Sequence, residues 1–342
     1  MRDDLLAIAF GMWDYVKNSG ECGDTSCWEL DWVGFLPGKR ESRRYIGDIV
    51  VTQNDLQAEG RFDDIVAYGG WLMDDHHPGG FRAADAPTTY YPTPTPYGLP
   101  LRALYSKNIN NLMFAGRNIS LTHTAMSSAR VMATCATLGQ AVGICAFVAC
   151  KYNASPRDVW KSHLNEVKQT IMRDDCYLPF NKLEINALTM NAKISSDCSN
   201  MENVRNGIER PIGNDDNGWY GEKDSFIIYE FYEPKHIKGI RIIFDSDLNR
   251  KTIEGKDSEE NKVMISNRFL DSVEARVPPT MTKAFEITAI SQDGCNVVIA
   301  YETNNYHRRY CAKCDIIAKS VKLRMIETWG CKHFHVFSFE VL

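Results

Sequence analysis

The feature that most constrains the fold is an uncharged, apolar run at residues 131–150. It is long enough for a membrane-spanning helix, which needs about 20 apolar residues. Threonine, glutamine and glycine residues interrupt the run, however, and no basic cluster or aromatic belt flanks both of its ends. We therefore predict a buried helix of a globular protein, whose small residues allow a neighbouring sheet to approach closely.

Composition is typical of a globular protein with about two domains. The chain has 342 residues, of which 44% are hydrophobic and 24% are charged. A net charge of −5 gives no electrostatic reason to expect nucleic acid or an anionic membrane as a partner. The 11 cysteines are predicted to be mostly reduced thiols, and the first residues lack the layout of a secretory signal. We therefore expect a cytoplasmic protein.

The first part of the sequence carries helix signals separated by irregular chain. A helix is predicted over residues 1–18, and Ser155 followed by Pro156 predicts the start of another that ends near Asp175. The shorter predicted elements are strands at residues 30–35 and 45–51, a short helix from Asn54, a loop at residues 67–80 and extended irregular chain at residues 87–100. These elements, together with the apolar helix, predict an α/β domain at residues 1–180.

The pattern changes after residue 180, where short β-branched and aromatic runs alternate with turn residues. The predicted strands cover residues 225–232, 237–244, 284–290, 297–302, 320–325 and 334–341. This spacing is typical of an all-β sandwich rather than of β-α-β units. We predict such a module at residues 181–342.

Residues 110–130 form the most informative pattern for function. An apolar strand is predicted at residues 111–115, and it ends at Gly116, where the missing side chain lets a ligand approach the backbone. A polar loop follows, and then the apolar helix begins. The first turn of a helix exposes unpaired N–H groups, which favour an anionic ligand atom.

This pattern resembles the second flavin-contact motif of FAD-dependent oxidoreductases of the glutathione-reductase-like superfamily. The resemblance extends over residues 1–179 as several segments in the same order. Those segments are residues 39–44 (KRESRR), 68–71 (YGGW), 75–78 (DHHP), 105–106 (YS), 115–120 (AGRNIS), His123, 130–132 (RVM) and 139–141 (GQA). The resemblance implies FAD as cofactor and hydride transfer between a small organic substrate and the flavin.

The same resemblance implies roles for individual residues. The cofactor-binding residues would be Ala115, Gly116, Arg117, Asn118, Ser127, Ser128, Arg130 and Val131. The catalytic, substrate-facing residues would be Arg43, Arg44, His76 and His77, with Tyr90, Tyr91 and Tyr97 nearby. Arginines can orient a carboxylate, and a histidine can act as general base while hydride leaves for the flavin. The alternatives are a solvated ion-pair cluster of the arginines with Glu41, and a histidine loop that only packs on Trp71.

The sequence departs from this family in one respect. Such enzymes carry a Gly-x-Gly-x-x-Gly turn that cradles the FAD pyrophosphate, and residues 1–342 contain no such triplet. We therefore expect a fragment, or a split subunit whose partner chain supplies the nucleotide-binding segment. The alternative from another class is a non-catalytic carbohydrate-binding protein that retains a remnant of the enzyme.

The second half resembles a discoidin-like, galactose-binding-like β-sandwich of the jelly-roll type. The segments that carry this resemblance are residues 203–208 (NVRNGI), 217–219 (NGW), 238–244 (KGIRIIF) and 321–323 (VKL). Trp219, Tyr220 and Trp329 are candidates for stacking on a sugar, or else core and rim aromatics. Cys311 and Cys314 lack a second pair at zinc-finger spacing, so no metal site is predicted.

Overall fold

The computed structural model describes residues 2–38, 41–247 and 277–342. A mixed region of helices and two small sheets is followed by one large antiparallel sheet. The helices are α1 (Arg2–Asn18), α2 (Gln53–Gln57), α3 (His123–Ala129), α4 (Met132–Tyr152), α5 (Pro156–Ser162), α6 (Leu164–Arg173) and α7 (Ala187–Asn191). The strands are β1 (Ile65–Gly69), β2 (Met73–His76), β3 (Thr88–Tyr91), β4 (Tyr97–Pro100), β5 (Lys193–Ser196), β6 (Trp219–Gly221), β7 (Phe226–Phe244), β8 (Thr282–Ser291), β9 (Asn296–Glu302), β10 (Arg309–Thr328) and β11 (Phe334–Val341). The predicted order, an α/β region followed by an all-β region, is confirmed.

Helix α4 is the predicted apolar helix, and it packs against β1, α5 and α6. Its buried residues recur every three or four positions, which places them on one face. They are Thr134, Leu138, Ala141, Cys145 and Val148. By length and composition alone α4 would also qualify as a membrane span, and 28% of its apolar window is buried.

The opposite face of α4 differs from the prediction. Ala136, Gly139, Gly143 and Ala146 are exposed, and a Cβ added at either glycine would meet no atom within 4 Å among the described residues. Gly139 and Gly143 therefore do not contact a sheet within the described part of the chain. Helix α1 is similarly uncovered, since none of its residues is buried.

Several short elements of the first half were predicted wrongly. Residues 30–35 and 45–51 are irregular, although the second segment pairs locally with the chain that precedes α3. There the Tyr45 and Val51 amides donate to the carbonyls of Asn118 and Ser120 at 2.9 and 3.0 Å. Strands form instead where a loop and irregular chain were predicted, because β1 pairs with β4 and β2 pairs with β3. These strands contain glycine, aspartate and proline, which are uncommon in strands, so the sequence did not indicate the long-range pairing.

Helix signals near residue 155 were more reliable. Ser155 caps α5, Pro156 is its first residue, and Asp158 completes the capping box. The helix is interrupted at His163, so the single predicted helix is in fact α5 and α6.

The large sheet has the order β6-β11-β7-β10-β8-β9, with β5 also paired to β7, and all its pairs are antiparallel. β7 and β10 have 19 and 20 residues, and they pair along their lengths with shifts of register. The sheet encloses an aromatic core that includes Trp219, Tyr229, Phe244, Phe285 and Phe339. The predicted strands are present, but the first two are parts of β7, and the short strands β5 and β6 were missed.

Charged side chains join the two halves. Glu340 on β11 is fully buried, and its carboxylate accepts hydrogen bonds from Arg173 of α6 at 3.1 Å and from the Asn186 side chain at 2.9 Å. Arg241 on β7 pairs with Glu209 and also donates to the Arg173 carbonyl at 3.1 Å. Bonds of this kind connect residues on either side of position 180. They do not test the domain boundary placed at that position, which stays a prediction.

We expect Glu340→Gln to lower the free energy of unfolding by about 1–3 kcal/mol, because a buried acceptor of charge-assisted hydrogen bonds is lost. Urea denaturation followed by circular dichroism would measure the change. Glu230→Gln is the matched control, since Glu230 pairs with Lys193 at the surface of the same sheet, where about 0.5 kcal/mol or less is expected. Equal losses in the two variants would contradict the role assigned to Glu340.

Candidate functional site

A cavity of about 260 Å³ lies beside the start of α3. Its lining residues are Glu41, Asp74, Asp75, His76, Pro78, Arg117, His123, Met126, Ser127 and Arg130. Four of the predicted site residues therefore come together here: His76, Arg117, Ser127 and Arg130. The cavity combines carboxylates, guanidinium groups and imidazoles in a small volume.

Strand β2 and helix α3 position most of these groups. β2 pairs with β3 so that Asp74, Asp75 and His76 lie opposite Tyr90, Thr89 and Thr88. α3 packs against β2 and is capped by Thr122, whose hydroxyl accepts the Ala125 amide at 3.4 Å. The first residue of α3, His123, is thereby brought next to the carboxylates of β2.

His123 lies between two carboxylates. Its Nδ1 is 2.7 Å from Glu41 Oε2, and its Nε2 is 2.8 Å from Asp75 Oδ1. An imidazole can donate from both nitrogens only when it is protonated. Both nitrogens of His123 thus lie next to carboxylates, although Asp75 Oδ1 accepts no hydrogen bond from the described residues.

His76 has a different environment. Its Nδ1 is 3.0 Å from Thr88 Oγ1, whereas its Nε2 makes no hydrogen bond to the described residues and lies 3.9 Å from Asp74 Oδ2. Arg130 holds Asp74 in place, since its guanidinium donates to the Asp74 carbonyl at 3.0 Å and to Oδ2 at 3.3 Å. If Thr88 accepts the Nδ1 proton, the Nε2 atom of His76 is able to take a proton from a ligand.

Two carboxylate oxygens of this group, Asp74 Oδ1 and Asp75 Oδ1, are buried and accept no hydrogen bond from the described residues. Asp75 Oδ1 lies close to His123 Nε2, whereas among these residues no such contact is found for Asp74 Oδ1. Buried acceptors are usually satisfied, so Asp74 Oδ1 favours a ligand that donates a hydrogen bond.

Gly116 and the start of α4 form an open surface next to the cavity. Gly116 has φ +103°, a conformation that favours glycine, and an added Cβ would contact only Asn118 Oδ1, at 3.6 Å. The N-cap of α4, Val131, provides no side-chain hydrogen bond, and Met132 is 87% exposed. Burial raises the pKa of the Cys135 thiol in α4, and the positive charge of Arg117 opposes this shift. Arg117 therefore lies near the start of the helix.

The segment before Gly116 does not form the predicted strand. Among the described residues it makes an isolated bridge, between Met113 and Tyr105.

Other predicted cofactor residues lie outside the cavity lining. Ser128 is fully buried, and its hydroxyl bonds to the Trp71 carbonyl and to Tyr97. Ala115 and Asn118 flank the open glycine, and the Asn118 carbonyl accepts a hydrogen bond from the Tyr45 amide.

The remaining predicted catalytic residues are at the surface. Arg44 forms an ion pair with Glu41, which also contacts His123. Arg43 is exposed and does not line the cavity. His77 is also exposed, and its Nδ1 accepts the Gly79 amide at 3.0 Å.

Sequence reasoning missed the acidic part of the site. Asp74 and His76 alternate along β2, so a strand assigned to this segment would have placed these two side chains on one face. Glu41 was considered only as an ion-pair partner of the arginines, and its pair with Arg44 is present, but nothing in the sequence connected it with α3. The pairing of Glu41 with His123 depends on the tertiary structure alone.

Comparison with known families agrees with the sequence pattern. The family model described as FAD dependent oxidoreductase matches residues 1–171, half of the chain. The chain therefore belongs to the FAD dependent oxidoreductase family, as predicted. Its placement in the glutathione-reductase-like superfamily stays a prediction. A search of curated proteins found no match.

Solved structures that resemble this chain include carbohydrate-binding modules. The family 32 module from Streptococcus pneumoniae EndoD is 11% identical with a TM-score of 0.33, over 45% of this chain and 97% of that one. The family 32 module of C. perfringens NanJ, solved in complex with galactose, is 12% identical with a TM-score of 0.30, over 45% and 95%. Chitosan-binding module 1 from a Paenibacillus enzyme is 8% identical with a TM-score of 0.31, over 46% and 98%.

Proposed function

We propose that residues 1–180 form the substrate- and isoalloxazine-facing half of an FAD-dependent oxidoreductase site. The observation that carries the proposal is the cavity in which His76 Nε2 makes no hydrogen bond to the described residues, next to the open backbone of Gly116. The proposed reaction is hydride transfer from an organic substrate that carries a hydroxyl or amine.

The described residues fit one half of a flavin site. Gly116 leaves its backbone accessible, the uncapped start of α4 offers amide donors, and Asp74 Oδ1 needs a donor. Arg117 would add positive charge on the same side. The cavity volume of about 260 Å³ is below the range of about 300–1,000 Å³ for complete small-molecule sites. This size is suited to a ring system and a small substrate, and not to the whole dinucleotide.

His76 is the proposed general base. When bound, FAD supplies the acceptor for the hydride that leaves the substrate carbon. The hydroxyl proton of the substrate passes to His76 Nε2, and the oxygen keeps the electron pair that becomes the carbonyl π bond. Asp74, held by Arg130, stabilises the imidazolium that forms.

The rest of the FAD site is proposed to come from an element outside residues 1–342. These residues lack the glycine triplet that cradles a pyrophosphate. Helix α4 offers a surface for such an element, since Ala136, Gly139, Gly143 and Ala146 are small and exposed. Small side chains allow the backbone of a partner chain to approach closely.

We expect riboflavin and FAD to bind this chain with similar, weak affinities, because the adenosine diphosphate finds no dedicated contacts here. Quenching of flavin fluorescence in titrations would give both dissociation constants. FAD binding tighter than riboflavin binding by about ten-fold or more, a difference of about 1.4 kcal/mol, would show that the chain holds the dinucleotide itself. Absence of any riboflavin binding would contradict the proposed half-site.

Two glycine variants provide matched controls for this titration. Gly116→Ala should abolish riboflavin binding, because a side chain at φ +103° shifts the backbone that faces the ring. Gly139→Ala, on the exposed face of α4, should leave riboflavin binding unchanged and stabilise the chain by about 0.5–1 kcal/mol. Unchanged riboflavin binding in the Gly116 variant would place the cofactor elsewhere.

We expect His76→Gln to slow reduction of the bound flavin by about 10²–10⁴-fold, since a general base contributes that much. A panel of sugars, hydroxy acids and amines would first identify a substrate that bleaches the flavin of the fully assembled enzyme in stopped-flow absorbance. His77→Gln is the matched control, because His77 lies outside the cavity. A larger effect of His77→Gln than of His76→Gln would reverse the assignment.

A second candidate function, sugar binding, is proposed for the β module on the basis of Tyr220. Its ring is 49% exposed and stacks on His335 at 4.1 Å, while the His335 nitrogens lie 3.0 and 3.1 Å from Asp216 and Asp245. This arrangement fixes an aromatic face beside carboxylates that can accept sugar hydroxyls. The other candidates are structural: Trp219 is fully buried, and Trp329 is partly buried with its indole N–H bonded to the Asn305 carbonyl at 2.6 Å.

We expect retention on immobilised galactose, or on another sugar of a glycan array, to be lost in Tyr220→Ala. Tyr232→Ala is the matched control, because Tyr232 is 93% exposed in the same module and makes no aromatic stacking contact with the described residues. Loss of retention in both variants, or in neither, would contradict a sugar site at Tyr220.

A further inference from the structure

A second cavity, of about 300 Å³, lies where the two halves meet. It shares no residue with the cavity beside α3. Its walls come from the end of β1, the chain after α6, and the segment of the β module around residues 207–212. The cavity is therefore a separate feature of the junction.

Two tyrosines and one arginine, Tyr68, Tyr177 and Arg210, form part of the polar wall of this junction cavity. The rings of Tyr68 and Tyr177 meet edge to face, with centroids 5.8 Å apart. The Arg210 guanidinium lies over the Tyr177 ring at 4.1 Å from its centroid. Stacking fixes the planar guanidinium group without using its N–H donors.

The hydrogen-bonding groups of this wall have no protein partners within the described ranges. Neither tyrosine hydroxyl makes a hydrogen bond there, and the Arg210 guanidinium makes neither a hydrogen bond nor an ion pair. Burial raises the pKa of Tyr68 and of Tyr177, so both phenols stay protonated and able to donate near neutral pH.

The neighbouring charges are already paired. Arg308 donates to Asp175 at 3.1 Å and to two backbone carbonyls, and Arg241 pairs with Glu209. Three guanidinium groups (Arg210, Arg241 and Arg308) and two carboxylates (Asp175 and Glu209) leave one positive charge in excess. That excess charge belongs to Arg210.

The lining also contains the paired charges of Asp175, Glu209 and Arg308, and the apolar side chains of Leu178, Leu183, Ile208 and Ile212. A ligand that fills the cavity therefore meets aliphatic side chains as well as the stacked donors. A guanidinium with free N–H groups matches a carboxylate, with which it forms two parallel hydrogen bonds. The volume is at the lower end of the range for small-molecule sites, which begins at about 300 Å³.

We propose that the junction cavity binds a small organic monocarboxylate with a ring or branched apolar body. The carboxylate pairs with Arg210 and accepts hydrogen bonds from Tyr68 and Tyr177, while the body packs on Leu178, Leu183, Ile208 and Ile212. This site does not depend on the proposed flavin site. Its occupancy would connect the two halves of the chain, because its wall comes from both.

Benzoate and benzamide are the probes that test the proposal on the full chain. They have nearly the same shape, but only benzoate carries a charge. Isothermal titration should give an affinity at least about ten-fold higher for benzoate, because the Arg210 pair is lost with benzamide. Benzoate should also shift the methyl NMR signals of Leu178, Leu183, Ile208 and Ile212. No binding of benzoate, equal binding of both probes, or shifts elsewhere would overturn the proposal.

Arg210→Gln should weaken benzoate binding by about ten-fold or more. Arg61→Gln is the matched control, because Arg61 also lies over an aromatic ring, that of Phe180 at 4.0 Å, but outside the cavity. Unchanged benzoate binding in the Arg210 variant would overturn the assignment of the carboxylate. If that variant does not fold, the methyl shifts of the unaltered chain still decide the question.

Discussion

The arrangement of the two halves depends on carboxylates and guanidinium groups that are buried together. Glu340, on the last strand, is held by Arg173 of α6, and Arg308, just before β10, pairs with Asp175. Arg241 pairs with Glu209 within the β module and donates to the Arg173 carbonyl of the first half. Removing such charges from water costs several kcal/mol for each ion, so each must be matched by a partner in the right place. The network therefore stabilises one relative position of the halves strongly and leaves little tolerance for others. Burial raises the pKa of Asp175 despite the opposing charge of Arg308.

The sequence predicted what is encoded locally. The N-cap Ser155 with its proline, the apolar run that forms α4 and the strands of the second half depend on neighbours along the chain, and all are present. Prediction from the sequence failed for segments whose pairing partners are distant along the chain. β2 forms only because β3 returns beside it, and the segment at residues 45–51 finds its partners in the chain before α3.

The same distinction applies to the candidate site. His76, Arg117, Ser127 and Arg130 followed from motifs, and they do line one cavity. The contact between Glu41 and His123 could not be predicted, because a carboxylate from irregular chain meets an imidazole at a helix start only after folding. Gly116 has a positive φ, but the strand predicted to end at this glycine does not form, and its approach to a ligand stays a prediction.

The exposed face of α4 affects the solubility of this chain. A helix with little charge, open glycines and an exposed Phe147 presents apolar surface to water without compensation. Surfaces of this kind attract one another, so self-association and capture by chaperones increase with concentration. We therefore expect the chain to be most soluble, and to persist longest, when it is produced together with the element that covers α4.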